Sequence, residues 1–156
     1  MSVDDGFFSE FRGKVLVVGV VMRGYEIVEN VVAGQVTVDG DDATEVLVDM
    51  VKSIPQKLNA IFIDGTSLGG FNVVDLKQVY EETGVPTISI TRKKPDLNSI
   101  KKAIENTPNS QKKWKILISN GPLFKYEKIF FQFCGTTQKE AEHLIKESSK
   151  NTIPEG

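Results

Sequence analysis

The chain has 156 residues, 40% hydrophobic and 26% charged, the size and make-up of one globular domain with a buried core spanning residues 1–156. Its formal net charge of −2 argues against a protein that coats nucleic acid by bulk electrostatics. The longest apolar run, Val15 to Met22, falls far short of the roughly 20 residues that a membrane span needs, and the only cysteine, Cys134, excludes an internal disulfide. With no secretory signal read at the start, the reducing cytoplasm is the expected compartment.

Lys14 to Met22 is β-branched and apolar, Arg23-Gly24-Tyr25 interrupts it, and Ile27 to Val38 resumes with partial alternation, which predicts an antiparallel hairpin. After Asp39-Gly40 the period changes: Ala43, Val46, Leu47, Met50, Val51 and Ile54 recur at three and four residues, predicting an amphipathic helix that ends before Pro55. Ala60 to Ile63 reads as a short strand closed by Asp64-Gly65, followed by a glycine-rich turn and a helix from near Asn72 to Gly84. Thr87 to Ile90 is a further strand, with a helix after Pro95-Asp96 carrying Leu97, Ile100 and Ile104 on one side.

Asn106 to Lys113 reads as a polar loop, Lys115 to Ile118 and Lys128 to Phe133 as strands, and Thr137 with Glu140 as a capping box that opens a last helix. The crossover rule makes the strands around Ile61 and Ile88 parallel neighbours. A short first strand, Met1 to Asp5, is expected between the hairpin and this parallel half. The predicted plan is α/β, a ribonuclease H-like mixed sheet in which an antiparallel hairpin precedes parallel βαβ units, with helices on both faces.

Open α/β sheets place ligands at the carboxyl ends of their strands, and acidic and basic clusters fall at those junctions. Asp64 ends a strand in front of a glycine, where rigid backbone would hold its carboxylate for Mg²⁺ or Mn²⁺, or where it serves only as a turn residue. Asp42 and Glu45 share a face at a helix start and form either metal ligands or an acidic capping box. Asp4 and Asp5 point to opposite faces of an extended chain, so one of them joins such a cluster; Asp5, beside Gly6, is the expected one. Lys93, flanked by Arg92 and Lys94, offers a point charge to a phosphate or forms a solvated turn.

Gly69-Gly70-Phe71-Asn72 would present backbone amides to a phosphate at a helix start, and Phe7, Phe8, Phe11 and Phe71 either stack on a displaced base or fill the core. His143 is expected on the surface, without zinc-type partners, and Cys134 lacks a base to activate it.

The strings V-D-D-G-F-F, V-M-R-G, V-D-G-D-D-A-T-E, D-G-T-S-L-G-G-F-N-V-V-D, Y-E-E-T-G-V-P and T-R-K-K-P-D resemble, over nearly the whole chain, an archaeal family of formerly uncharacterised proteins also called endonuclease dU, itself similar to endonuclease V. The resemblance implies a metal-dependent endodeoxyribonuclease using Mg²⁺ or Mn²⁺ on DNA containing deaminated bases, uracil first. It implies that Asp5 is the first-strand carboxylate, Asp64 the central-strand aspartate and Lys93 the lysine after the next strand. Glu45 matches the helical glutamate best, with Asp42 the alternative, so that Asp5, Asp42, Glu45 and Asp64 supply the metal ligands. Arg92, Lys93, Lys94, Gly69, Gly70 and Asn72 are the expected nucleic-acid contacts.

The proline-tyrosine wedge of endonuclease V has no counterpart here, and the resemblance implies a further helix after Ile153-Pro154-Glu155-Gly156. Two other functions fit the residues: a non-catalytic nucleic-acid or protein-binding module on the same fold, and a metal-dependent phosphohydrolase of small nucleotides.

Overall fold

The computed structural model describes residues 1–6 and 13–148. The strands are β1 Ser2–Asp5, β2 Lys14–Arg23, β3 Ile27–Thr37, β4 Ile61–Asp64, β5 Ser67–Leu68, β6 Asn72–Val73, β7 Thr87–Thr91, β8 Phe124–Tyr126 and β9 Ile129–Cys134. The helices are α1 Ala43–Lys52, α2 Leu76–Thr83, α3 Leu97–Glu105, α4 Ser110–Ser119 and α5 Gln138–Glu147. Seven strands form one mixed sheet in the order β3-β2-β1-β4-β7-β9-β8, while β5 and β6 make a separate two-stranded hairpin. β1, β4 and β7 run parallel at the centre, flanked by antiparallel β2 and β3 on one side and β9 and β8 on the other.

Alternation decides the faces. Along β2, Val15, Val17 and Val21 are buried while Leu16 and Met22 are exposed, the period-two signature of a strand covered on one side. The covered side packs Val3, Ile61 and Ile63 against Leu47 and Met50 of α1 and Leu76 and Val79 of α2. On the opposite face Ile88, Ile90 and Phe131 meet Ala141 and Ile145 of α5. Thr137 Oγ1 accepts from Glu140 N at 3.1 Å, so the expected cap of α5 is present, and Gly84, at φ 73°, closes α2. Among the described residues no helix is long and apolar enough to cross a membrane.

Two expectations need correction. Lys115 to Ile118 is not a strand but lies inside α4, which also takes up the end of the expected 106–113 loop. A short apolar run carries too few residues to distinguish the two periods, and long-range contacts decide. The Lys113 ammonium, 2% exposed, donates to Asp39 O at 2.6 Å and Thr107 Oγ1 at 3.0 Å, and Asn120 at the helix end accepts from Leu76 N and donates to Val74 O. The helix between β4 and β7 starts at Leu76, not near Asn72, which lies in β6.

Candidate active site

The parallel strands β1, β4 and β7 bring their carboxyl ends to one edge. The ladder pairs Ser2 with Phe62 and Val3 with Ile63, so one step further along both strands sets Asp4 beside Asp64. Val3 and Ile63 are buried and the next residue of each strand is exposed, which turns both carboxylates to the face opposite the α1 and α2 layer. Partial burial, the neighbouring Asp5 carboxyl and the negative field of Asp64 hold the Asp4 carboxyl above its ordinary range. Asp5 N, donating to Asp4 Oδ1 at 2.8 Å, offsets this only in part. A carboxyl whose ionisation is made costlier by a second acid at a strand edge is a setting in which a cation is favoured.

Register therefore selects Asp4, not the expected Asp5, as the neighbour of Asp64. Asp5 turns to the other face, where its Oδ2 accepts from Gly69 N at 2.8 Å. Asp39 N in turn donates to Gly69 O, and Asp39 Oδ1 accepts from Phe71 N, each at 2.9 Å. These contacts need bare glycine. A Cβ on Gly69, at φ 59°, would lie 2.8 Å from Val15 Cγ1, and one on Gly70, at φ 81°, would lie 2.4 Å from Asp39 Oδ1. Instead of facing a phosphate at a helix start, the amides of Gly69 and Phe71 are committed to carboxylates, in a turn that ties the end of β1 to the β3–α1 connection.

Asp42 occupies the N-cap position of α1 but makes no side-chain cap bond, so the expected acidic capping box does not form. Its carboxylate accepts from Thr37 N at 3.0 Å, Thr37 Oγ1 at 2.9 Å and Asn72 Nδ2 at 2.7 Å. Burial alone would raise its pKa, but these donors together bring it below the ordinary value. Asn72, 0% exposed, also donates to Thr37 O and accepts from Ala43 N through Oδ1. With both ends of its amide engaged inside the protein, it is a structural clamp in place of the expected nucleic-acid contact. Glu45 stands exposed in the first turn of α1.

Arg92, Lys93 and Lys94 follow β7 directly and are all exposed, at the same edge as Asp64, whose strand pairs with β7 through Asp64 and Ile90. Gly65 N donates to Ile90 O at 2.9 Å across this edge, and nearby Thr91 Oγ1 is buried without a hydrogen-bond partner. Phe7, Phe8 and Phe11 lie outside the described residues, and Phe71 is half-buried. His143 is exposed with Nε2 3.1 Å from Glu147 Oε1, and burial pushes the Cys134 thiol up, away from thiolate chemistry.

Among the described residues no group of three or more His, Cys, Asp or Glu side chains is placed to hold a metal ion, so the expected convergence of Asp5, Asp42, Glu45 and Asp64 does not occur. What remains is the Asp4 and Asp64 pair, whose hard anionic oxygens suit Mg²⁺ or Mn²⁺, ions that take one or two protein carboxylates and complete their shell with water and phosphate. The residues that sequence reasoning missed are Asp4, Asp39 and Lys113. For Asp4 the signal was present, since Val3 marks which parity of β1 faces the core.

The family model for endonuclease dU matches residues 1–156. A UPF0215 protein of Methanosarcina mazei is 38% identical over 164 residues, covering 99% of this chain and 83% of its own. The crystal structure of a protein of unknown function from Archaeoglobus fulgidus superposes with a TM-score of 0.88 at 35% identity, over 97% of this chain and 88% of that one. Endonuclease V of Ciona intestinalis, solved with a 24mer DNA containing an inosine followed by a ribo-adenosine, matches at a TM-score of 0.58 and 13% identity, over 98% of this chain and 78% of that one. At that identity the likeness is one of fold, and it identifies the mixed sheet as ribonuclease H-like.

Proposed function

Because the chain belongs to the endonuclease dU family, we propose that it is a metal-dependent endodeoxyribonuclease acting, as a single domain, on DNA that contains deaminated bases, with uracil the preferred lesion. The observation that carries this reading is the register that sets Asp4 beside Asp64 at the carboxyl ends of two parallel strands, next to the basic segment after β7. Asp4 and Asp64 would hold Mg²⁺ or Mn²⁺, which when bound supplies an activated water and charge stabilisation at the leaving oxygen. Lys93 neutralises charge on the phosphate, and Arg92 and Lys94 hold the backbone on either side of it. Asp5 serves the site indirectly by mooring the Gly69 turn.

The test is incubation of the protein with Mg²⁺ or Mn²⁺ and duplexes containing uracil, inosine or an abasic site, beside undamaged DNA. Wild type should nick the uracil duplex only when metal is present, and Asp64→Asn and Asp4→Asn should not. A wild-type protein that leaves every lesion intact would overturn the reading. The lack of a three-ligand cluster among the described residues favours one other function, a nucleic-acid-binding module without catalysis, which predicts retention of the uracil duplex with no metal-dependent nicking.

A further inference from the structure

Among the described residues, neither apolar cluster that packs on the sheet draws a side chain from α3 or α4. Polar groups moor this pair instead. Lys113, 2% exposed, crosses from α4 to donate to Asp39 O at 2.6 Å in the β3–α1 turn and to Thr107 Oγ1 at 3.0 Å in the α3–α4 link. Beside it Asn109 Nδ2 donates to Asp41 Oδ2 at 2.9 Å, and at the far end of α4 Asn120 bonds to Leu76 N and Val74 O. Lys101 Nζ stands 5.6 Å from the centre of the Trp114 ring, which couples the two helices to each other. Elements with few buried apolar contacts are those that open apart from the rest of a fold.

Residues 97–119 carry five lysines against a single acid, Glu105, in a chain whose formal net charge is −2. Lys101, Lys102, Lys112 and Lys115 are exposed, and Lys113 is the buried one. Taking an ammonium out of water is costly unless it is paired and hydrogen-bonded, and burial lowers the Lys113 pKa, with the fields of Asp39 and Asp41 opposing part of that shift. A methionine at this position would pack without that cost. What the ammonium adds is a pair of directed bonds, one to the turn and one to the link.

We infer that Lys113 is a positioning residue, which touches no phosphate itself and holds α3 and α4 against the β3–α1 turn so that their four exposed lysines form one track for the DNA backbone; the inference rests on the nucleic-acid part of the function proposed above and names what keeps that surface in place. α3 begins at Leu97, soon after Lys94, and Lys101 and Lys102 lie about 6–8 Å further along its axis at roughly 1.5 Å per residue. The track therefore continues from the basic segment that follows β7. At the start of α4 an open hollow of about 550 Å³ is lined by Asn109, Ser110, Gln111, Lys112 and Lys115, a polar and cationic lining that suits a sugar-phosphate backbone. Once the pair tilts away from the turn, these lysines no longer share one line and several phosphate contacts are lost together.

The experiment measures the salt dependence of binding, by fluorescence anisotropy on a labelled uracil duplex, with the full-length protein and no metal. Each neutralised phosphate contributes about 0.9 to the slope of log affinity against log salt. Lys115→Ala, which removes one exposed lysine, should lower the slope by about one. Lys113→Met should lower it by about two or more and weaken binding roughly tenfold or more, although the buried ammonium reaches no phosphate. Thr107→Val, which withdraws one acceptor and leaves every charge in place, should move the slope in the same direction. In hydrogen exchange, the amides of α3 and α4 should quicken in Lys113→Met while those of β4 and β7 keep their wild-type rates.

Thermal unfolding establishes that each variant is folded; should Lys113→Met not fold, Thr107→Val decides alone. An unchanged slope in the folded variants, a fall in Lys113→Met no larger than that of Lys115→Ala, exchange that quickens in the sheet as much as in the helices, or a wild type without salt-dependent affinity overturns the inference. Failure of the nuclease reading is distinct. Loss of slope in Lys113→Met while wild type never nicks DNA keeps the positioning role and removes the catalysis, and a wild type that nicks while Lys113→Met keeps its full slope does the reverse.

Discussion

At the β3–α1 turn the Asp42 carboxylate is surrounded by donors from Thr37 and Asn72, whereas at the tips of β1 and β4 the Asp4 carboxylate faces other acids. The same side chain is an internal brace in the first place and, in the function proposed, a metal ligand in the second, and the partners decide which. Donors lower the cost of the charge and fix the geometry; like charges leave an unmet need for a cation. The first arrangement contributes to stability, and the second detracts from it, as the proposed site would require.

Substitutions should expose that contrast, beginning with the largest effect. Asp64→Asn and Asp4→Asn should each lower nicking of a uracil duplex by at least about 10²-fold, the scale of losing one electrostatic element of a site, while the denaturation midpoint stays level or rises because repulsion at the edge is relieved. A midpoint that falls in step with activity would make both carboxylates structural. In the clamp the pattern inverts: Asn72→Ala should destabilise the protein by about 3 kcal/mol, since it strands the buried Ala43 N–H and removes a donor from both Thr37 O and Asp42. Urea unfolding measures this, and a loss below about 0.5 kcal/mol would mean that water replaces the amide.

The smallest effect concerns pH. Asp42 titrates below its ordinary range in the folded state, so its stabilising contribution is complete above the unfolded carboxylate value of about 3.9 and is lost as pH falls through the lower folded value. The stability difference between wild type and Asp42→Asn, measured by urea unfolding, should therefore be constant from about pH 7 to pH 5 and shrink below about pH 4. A difference that instead grows on acidification would place the partly buried carboxyl in its neutral form.

The hairpin, α1 and the parallel pair β4 and β7 were legible because each carries its own period over enough residues: alternating valines in β2, threes and fours from Ala43 to Ile54, and short apolar runs ended by Asp64-Gly65 and Thr91-Arg92. α4 was not, because the apolar run from Trp114 to Ile118 is short and its helix is held by Lys113 and Asn120 bonding to groups 74 and 44 or 46 residues away. The role of Asn72 was hidden for the same reason, since its partners lie 29 to 35 residues earlier in the chain. Within the candidate site, Asp64 and Lys93 could be placed at one sheet edge from strand ends alone. Choosing between Asp4 and Asp5 required the parity set by Val3, and the adjacent Gly6 pointed the other way.

The bond from Gly69 N to Asp5 Oδ2 reaches beyond the turn it closes. Asp5 N also donates to Asp4 Oδ1, so immobilising the Asp5 side chain fixes the peptide plane against which the Asp4 carboxylate is aimed. The glycine hairpin thus acts as an alignment jig for an acid it never touches, so a replacement of Gly69, which would press on buried Val15 and Val36, would also misdirect an oxygen at the far strand tip.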